Sequence, residues 1–370
     1  MNSVSPQVSI LEKVHDCVSL HHGGEADVYG VVADGKELVL KWYAQGTRFD
    51  EAVIKALEHL NIPGLYRIRE SGVRENTAYL LYDFVQGLNS AEAPRIPVAV
   101  ALVLLRDLVR TLEALASKDI HHGDLNPANV ILCPSKDSLQ TVLIDCGIVG
   151  PGVLAYAAPE RFQGKPASVK SDLFSIGLIL FRWIAGRDLL EASDFDAFAA
   201  KASAIDFLNV TDLLYETGDV SAQELSALAP LWTALLRSSP EDRAEDFDEL
   251  DELLEIALSA LEMGEVRVRT LSQNFSNQLF DEKTGRKIPS SVLDGEKTAL
   301  PYRKVGSRPQ KNLRKIAVLG AFGLILLLMA LWFAFGTKSP DIDATGNLLL
   351  EKSRSLESVD TEENILRGVP

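Results

Sequence analysis

Cysteine is scarce in this chain. Cys17, Cys133 and Cys146 lack metal-ligand spacing, and an odd count makes a poor disulfide framework. A cysteine-built metal module and a disulfide-stapled fold are therefore excluded, and buried reduced thiols are the expectation. Basic charge is also short: 37 Lys and Arg against 52 Asp and Glu leave a formal charge of −15. A general nucleic-acid binder needs a basic footprint, so no nucleic-acid partner is expected. No internal repeat or sustained heptad array is present, and the first thirty residues lack the basic-then-apolar run of a secretory leader.

What is present is enough apolar material for a substantial core, 46% of 370 residues, which suits one large or two moderate domains. One apolar run stands apart. Residues 316–335 carry no charge over twenty positions, long enough at helical rise to cross a bilayer core. Its apolar residues run right round the segment, unlike the single stripe of a surface helix. Arg303, Lys304, Arg308, Lys311, Arg314 and Lys315 precede it with no intervening acid, whereas the segment after Gly336 is mildly acidic. The positive-inside rule then puts residues 1–315 in the cytoplasm and the last 34 outside.

The chemistry concentrates in Ile120-His121-His122-Gly123-Asp124-Leu125-Asn126-Pro127-Ala128-Asn129, an acid five residues before an amide on a loop broken by glycine and proline. A second apolar run, Thr141 to Ile144, ends in Asp145-Cys146-Gly147. Three short polar side chains at the ends of strand-like segments suit phosphoryl transfer: one acid orients and deprotonates a hydroxyl, while an amide and a second acid hold magnesium.

Before that loop, Val28–Val32 and Leu38–Lys41 are β-favouring runs separated by Ala33-Asp34-Gly35-Lys36, a hairpin signal. Gly23-Gly24 precedes the first run, and a glycine turn between strands can bring N–H groups close to phosphates. Lys41, at a strand end, pairs with phosphate or stays solvated. Val53, Ile54, Leu57 and Leu60 have helical spacing, and Glu51 and Glu58 fall on similar faces, either of which could turn toward Lys41. After the strand-like Ala78–Tyr82 the chain becomes helix-rich, with helices expected over 98–117, 172–185, 228–236 and 247–261. A small β-rich lobe thus precedes a larger helical one, with nucleotide expected between them. Residues 265–315, mixed in charge and without periodicity, read as a flexible linker.

In this order the motifs resemble those of the bacterial Ser/Thr protein kinases over roughly residues 8–262. The resemblance makes Gly23, Gly24 and Val28 part of a glycine-rich loop and Lys41 the lysine on the α- and β-phosphates. Glu51 becomes that lysine's helix partner, with Glu58 left open. Tyr82 falls at the gatekeeper, and the backbone of Asp83 and Val85 would face adenine. Asp124 becomes the catalytic acid, and Asn129 and Asp145 the metal ligands. Tyr156-Ala157-Ala158-Pro159-Glu160 looks like an activation-segment end, Asp172 like the anchor of the catalytic-loop backbone, and Arg243 like the late-lobe partner of Glu160.

The departures are equally specific. Gly123 stands where an Arg usually precedes the catalytic Asp, and Asn126 where a Lys usually touches the γ-phosphate. Cys146 replaces a common Phe, His21 replaces the first loop glycine, and Glu160 follows Asp145 by only fifteen positions. Asn126 is expected to steady the γ-phosphate by hydrogen bonding alone.

The expected architecture is α+β: a bilobal protein-kinase-like domain at 8–262, a cytoplasmic juxtamembrane linker at 263–315, one transmembrane helix at 316–336 and an extracytoplasmic tail at 337–370. The expected function is a membrane-anchored kinase using ATP and Mg2+ on protein hydroxyls, with self-association left open. The alternative is a nucleotide-binding pseudokinase scaffold that recruits partners at the inner membrane face. The topology predicts that a reporter fused after Pro370 lies outside the inner membrane and one before Met1 lies inside. Two cytoplasmic ends in a protease-protection assay would remove the single span.

Overall fold

The computed structural model describes residues 9–302, apart from 25, 46–50, 137, 148–151, 263, 281–290 and 295. The chain divides into two units, Met1–Val305 and Gly306–Pro370. The span expected at 316–336 and the tail at 337–370 lie outside the described residues.

The first lobe is built on antiparallel strands β1 (Asp16–His22), β2 (Ala26–Ala33), β3 (Lys36–Tyr43), β4 (Ile68–Arg74) and β5 (Thr77–Asp83). A short helix α1 (Ile10–Lys13) precedes them, and α2 (Glu51–Glu58) connects β3 to β4. Two of the turns follow directly from residue type. Asp34-Gly35 and Glu75-Asn76 form two-residue hairpin loops with every φ positive, which matches the strand twist and is most favourable at Gly, Asn and Asp.

The second lobe is helical: α3 (Val98–Ala116), α4 (Pro159–Phe162), α5 (Val169–Ala185), α6 (Phe195–Ser203), α7 (Val210–Tyr215), α8 (Ala222–Leu235), α9 (Phe247–Ala260) and α10 (Glu265–Leu279). A small sheet of β6 (Leu88–Asn89), β7 (Val130–Pro134) and β8 (Leu139–Leu143) carries the catalytic loop at one end. Helix α5 is apolar nearly all round because it runs through the core. A Ser168–Ser171 capping box starts it, and Gly186 at φ 73° ends it. The four helices expected from periodicity are α3, α5, α8 and α9, with α5 and α8 starting earlier than the apolar signal.

Glu160 and Arg243 form a buried bidentate pair at 2.7 and 2.8 Å. Arg243 also donates to the Arg237 and Lys170 carbonyls and lies over the Phe174 ring at 4.9 Å. This is the pairing the sequence motifs imply. Removing one partner of such a pair strands a buried charge and costs about 3–5 kcal/mol.

The expectation of a flexible linker from residue 263 is corrected. Helix α10 packs on α3 and β8, burying Ser272, Phe275, Ser276 and Leu279. Beyond it β9 (Glu296–Lys297) joins β1, so the large sheet runs β4-β5-β3-β2-β1-β9. Val292 and Tyr302 are buried against the first lobe. The segment escaped the apolar pattern because half of the buried face of α10 is serine. All three thiols are free; burial pushes Cys17 up to about 11, Cys133 up to about 12 and Cys146 higher still.

Candidate active site

The catalytic loop is held from beneath by one buried carboxylate. Asp172, in the first turn of α5, accepts the His122 N–H at 2.9 Å and the Gly123 N–H at 3.1 Å. Burial pushes its carboxyl above the ordinary range, against the pull of the nearby His122 and of both N–H groups. His122, 1% exposed, ties the loop to the neighbouring strand end. Its Nε2 lies 2.8 Å from the Ile144 carbonyl, and its Nδ1 is 3.3 Å from the Asp124 N–H. A carbonyl only accepts and an amide N–H only donates, so the ring carries its proton on Nε2. The sequence reading gave His122 no role; its position beside the loop glycine was the available signal.

The Asp124 carboxylate accepts from three donors, two side-chain amides and one main-chain N–H. Asn126 Nδ2 and the Val153 N–H reach Oδ1 at 3.1 and 2.7 Å, and Asn129 Nδ2 reaches Oδ2 at 3.2 Å. Gly152 makes this close approach feasible: a Cβ there would stand 2.4 Å from Asp124 Oδ1, and its φ of +73° suits glycine. Gly152 and Val153, in the shortened segment after Asp145, therefore rest directly on Asp124, a contact that motif spacing does not reveal.

Asn126 departs from expectation. It is 2% exposed, its Nδ2 donates to the Asp124 carbonyl and carboxylate, and its Oδ1 accepts the Ala128 N–H. Both ends of the amide are committed within the loop, so Asn126 braces Asp124 and does not reach out to a γ-phosphate. An amide that caps a tight turn is drawn inward in a way a long lysine is not.

Lys41 is buried, and its Nζ pairs with Asp145 Oδ2 at 2.9 Å while lying over the Tyr43 ring at 5.2 Å. The expected Lys41–Glu51 pair is corrected. Helix α2 turns Ile54 and Leu57 inward, and Val53 and Ile54 lie against Gly147. Glu51 stands exposed in the first turn, while Glu58 bonds Lys55 and Ser71. Val28 faces Lys41 in register across β2 and β3, so the two share a sheet face with Leu80. Gly23 closes the glycine turn through its N–H to the Ala26 carbonyl at 3.1 Å, and Gly24 has open space beside it.

At the connection between lobes, Asp83 commits its N–H to the Arg67 carbonyl and its carboxylate to Arg69 at 2.5 Å. Its carbonyl is the backbone group left to offer adenine, with half-buried Val85 two residues on. Behind them Tyr82 packs edge-on against Tyr66 at 5.1 Å, and burial pushes both phenols well above their usual range.

The donor set fits magnesium. Asp145 sits at φ 61°, and its Oδ1 is buried with no hydrogen-bond donor while Oδ2 holds Lys41. Asn129 commits Nδ2 to Asp124, which leaves its amide oxygen for a metal. Among the described residues no cluster of three His, Cys, Asp or Glu could form an all-protein cage. Mg2+ does not need one, because phosphates and water complete its shell.

A two-lobed domain with a lysine–acid pair at its cleft and an Asp–Asn loop braced from α5 has the architecture of a protein kinase domain. The protein kinase domain model matches residues 17–254, and the chain belongs to that family. Among curated proteins it is 28% identical over 273 residues to the serine/threonine-protein kinase pkn2 of Myxococcus xanthus, covering 65% of this chain and 32% of that one. It is 25% identical over 250 residues to the serine/threonine-protein kinase PkaA of Streptomyces coelicolor, covering 60% and 43%. The chain thus spans less than half the length of these relatives. Among solved structures, a Mycobacterium tuberculosis PknI kinase-domain double mutant superposes with TM-score 0.51 at 20% identity, covering 66% of this chain and 96% of that one. A structure of Rad53 with AMP-PNP gives 0.53 at 20%, covering 66% and 64%. At that identity the likeness speaks for the fold.

The site predicts that Mg-ATP raises the melting temperature of the protein, since a ligand at about 100 times its Kd stabilises by about 2.7 kcal/mol. Lys41→Met should lower the starting temperature, because Asp145 loses its buried partner, and should also abolish the Mg-ATP increment. An undiminished increment would exclude Lys41 from the nucleotide site.

Proposed function

We propose that this chain is a membrane-anchored Ser/Thr protein kinase that transfers the γ-phosphoryl group of ATP to a protein hydroxyl. The observation that carries the reading is the convergence of Lys41, Asp124, Asn129 and Asp145 on one cleft with Asp124 fixed by three donors. Lys41 would meet the nucleotide phosphates, and Asn129 and Asp145 would hold Mg2+, which would offset the phosphate charge. Asp124 aligns the substrate hydroxyl and takes its proton as that oxygen bonds to phosphorus. The bond from phosphorus to the bridging oxygen breaks, and ADP leaves with the electron pair.

The membrane assignment is supported by the uncharged run 316–335 and the basic residues before it. Among the described residues no helix is long and apolar enough to cross a membrane, and that run lies outside them. The reading places the kinase domain on the cytoplasmic side. A protein bearing an exposed Ser or Thr is the substrate class, and self-association at the membrane is a further part of the proposal.

A second reading, a nucleotide-binding scaffold that recruits partners at the inner membrane face, is favoured by the inward-turned Asn126. The Asn126 amide brings no positive charge to the position where a lysine ordinarily steadies the γ-phosphate, and electrostatic stabilisation supplies a large share of such rate enhancement. The two readings separate cleanly. With γ-labelled ATP, wild type should label protein and Asp124→Ala should not, by at least about 100-fold for a lost general base. Both should keep the same Mg-ATP affinity. Equal labelling of extracts and of the chain itself by the two proteins would leave the scaffold reading standing.

A further inference from the structure

The family model ends at residue 254, yet two described stretches beyond it pack on the domain, α10 on the helical lobe and residues 291–302 (apart from 295) on the other. On the helical lobe, α10 inserts Phe275 and Leu279, and Ser272 Oγ accepts the Leu139 N–H at 3.1 Å. On the nucleotide lobe, residues 291–302 make a second set of contacts. Glu37 accepts the Ser291 hydroxyl and, at 3.1 Å, the Val292 N–H. Glu296 and Lys297 pair with Ser19 and Val18 of β1, and the Thr298 N–H donates to the Cys17 carbonyl at 3.0 Å. Tyr302 stacks on Trp42 at 5.4 Å, and its hydroxyl donates to the Leu11 carbonyl at 2.5 Å.

Two details give this strap a functional position. It covers the outer edge of β1, the strand that leads into Gly23 and Gly24. The β1–β2 register slips between Ser19 and His21, directly beyond the strap pairing, so Leu20 separates the clamped part of β1 from the glycine turn. Gly30 is the second detail. A Cβ there would lie 2.2 Å from the Val292 carbonyl, a clash with backbone that only a departing strap could relieve.

We propose that residues 291–302 are a nucleotide-coupled strap: docking on β1 and β2 orders the root of the glycine turn and so favours Mg-ATP binding. This rests on the nucleotide-binding reading given above. Nucleotide orders the turn, and a docked strap has already ordered the strand that carries it, so each event lowers the conformational entropy the other must remove. By linkage the effect is reciprocal, and Mg-ATP holds the strap down. In sequence the strap directly precedes the basic run from Arg303 and the uncharged run at 316–335.

The test uses the full-length chain in detergent. Ser19 and Glu296 oppose each other across the antiparallel pair, at a Cα separation that a disulfide can span. The Ser19→Cys, Glu296→Cys double variant can therefore be compared with itself, oxidised and reduced, with wild type under the same oxidant as control. The oxidised, strap-locked form should bind Mg-ATP more tightly than its reduced form. Gly30→Ala, which expels the strap, should bind more weakly than wild type by roughly 5-fold, within the usual span of coupling between sites. Should Gly30→Ala fail to fold, the oxidised and reduced pair decides alone. Identical affinities throughout would overturn the proposal and reduce the strap to structural packing. Absence of Mg-ATP binding in every form, wild type included, would instead overturn the nucleotide reading and the strap proposal with it.

Discussion

The arrangement depends on one buried carboxylate. Asp172 belongs to α5, the core helix of the large lobe, and holds the N–H groups of His122 and Gly123. The catalytic loop is positioned through that contact. His122 carries it to the end of β8 through Ile144, one residue before Asp145. Asp124 follows two residues after His122 and is braced by Asn126 and Asn129, the latter donating its amide to the Asp124 carbonyl at 2.8 Å. Asp172 is thus an acid doing structural work: burial raises its pKa, and two backbone donors offset much of the cost of keeping it ionised.

A second constraint is the brevity of the segment after Asp145. With only fourteen residues between Asp145 and Glu160, there is no room for a long loop. The chain lays Gly152 and Val153 against Asp124 instead, and Tyr156 donates to Asp188 at 2.5 Å a few residues later. Gly123, standing where the family commonly has Arg, offers no guanidinium to receive a phosphorylated loop. A phospho-switch on that segment has neither its charge partner nor its length. Control is more naturally sought at the strap, which sits at the opposite end of the nucleotide lobe's sheet from β4.

Much of this was legible in the sequence, for a physical reason. Asp124 and Asn129 lie on one short loop, so their spacing alone forces proximity. Glu160 and Arg243 are far apart in sequence, and their pairing is legible only through the family resemblance of the two motifs that carry them. What was not legible arises from backbone placement and from weakly apolar packing. The Val153 N–H on Asp124 is a main-chain contact that residue type does not announce. Asn126 was expected to face phosphate, yet its short amide satisfies the turn first. Lys41 was assigned to Glu51, whereas α2 uses Ile54 and Leu57 to dock and leaves Glu51 in solvent. Helix α10 does carry helical spacing at 272, 275, 276 and 279, but two of those four are serines, which hid the stripe.

In the proposed kinase, catalytic competence is set from below by Asp172. The direct measurement is Asp172→Asn, assayed for Mg-ATP affinity by calorimetry and for phosphoryl transfer in single-turnover conditions. An amide can accept with its oxygen, but its NH2 opposes the second loop N–H, leaving a buried donor unpaired at a cost of about 1–3 kcal/mol. Transfer should fall by at least about 10-fold with Mg-ATP affinity nearly unchanged, since an energy of about 1.4 kcal/mol at the transition state is a tenfold rate. Transfer at the wild-type rate would contradict it, because the loop would then hold Asp124 without the carboxylate beneath.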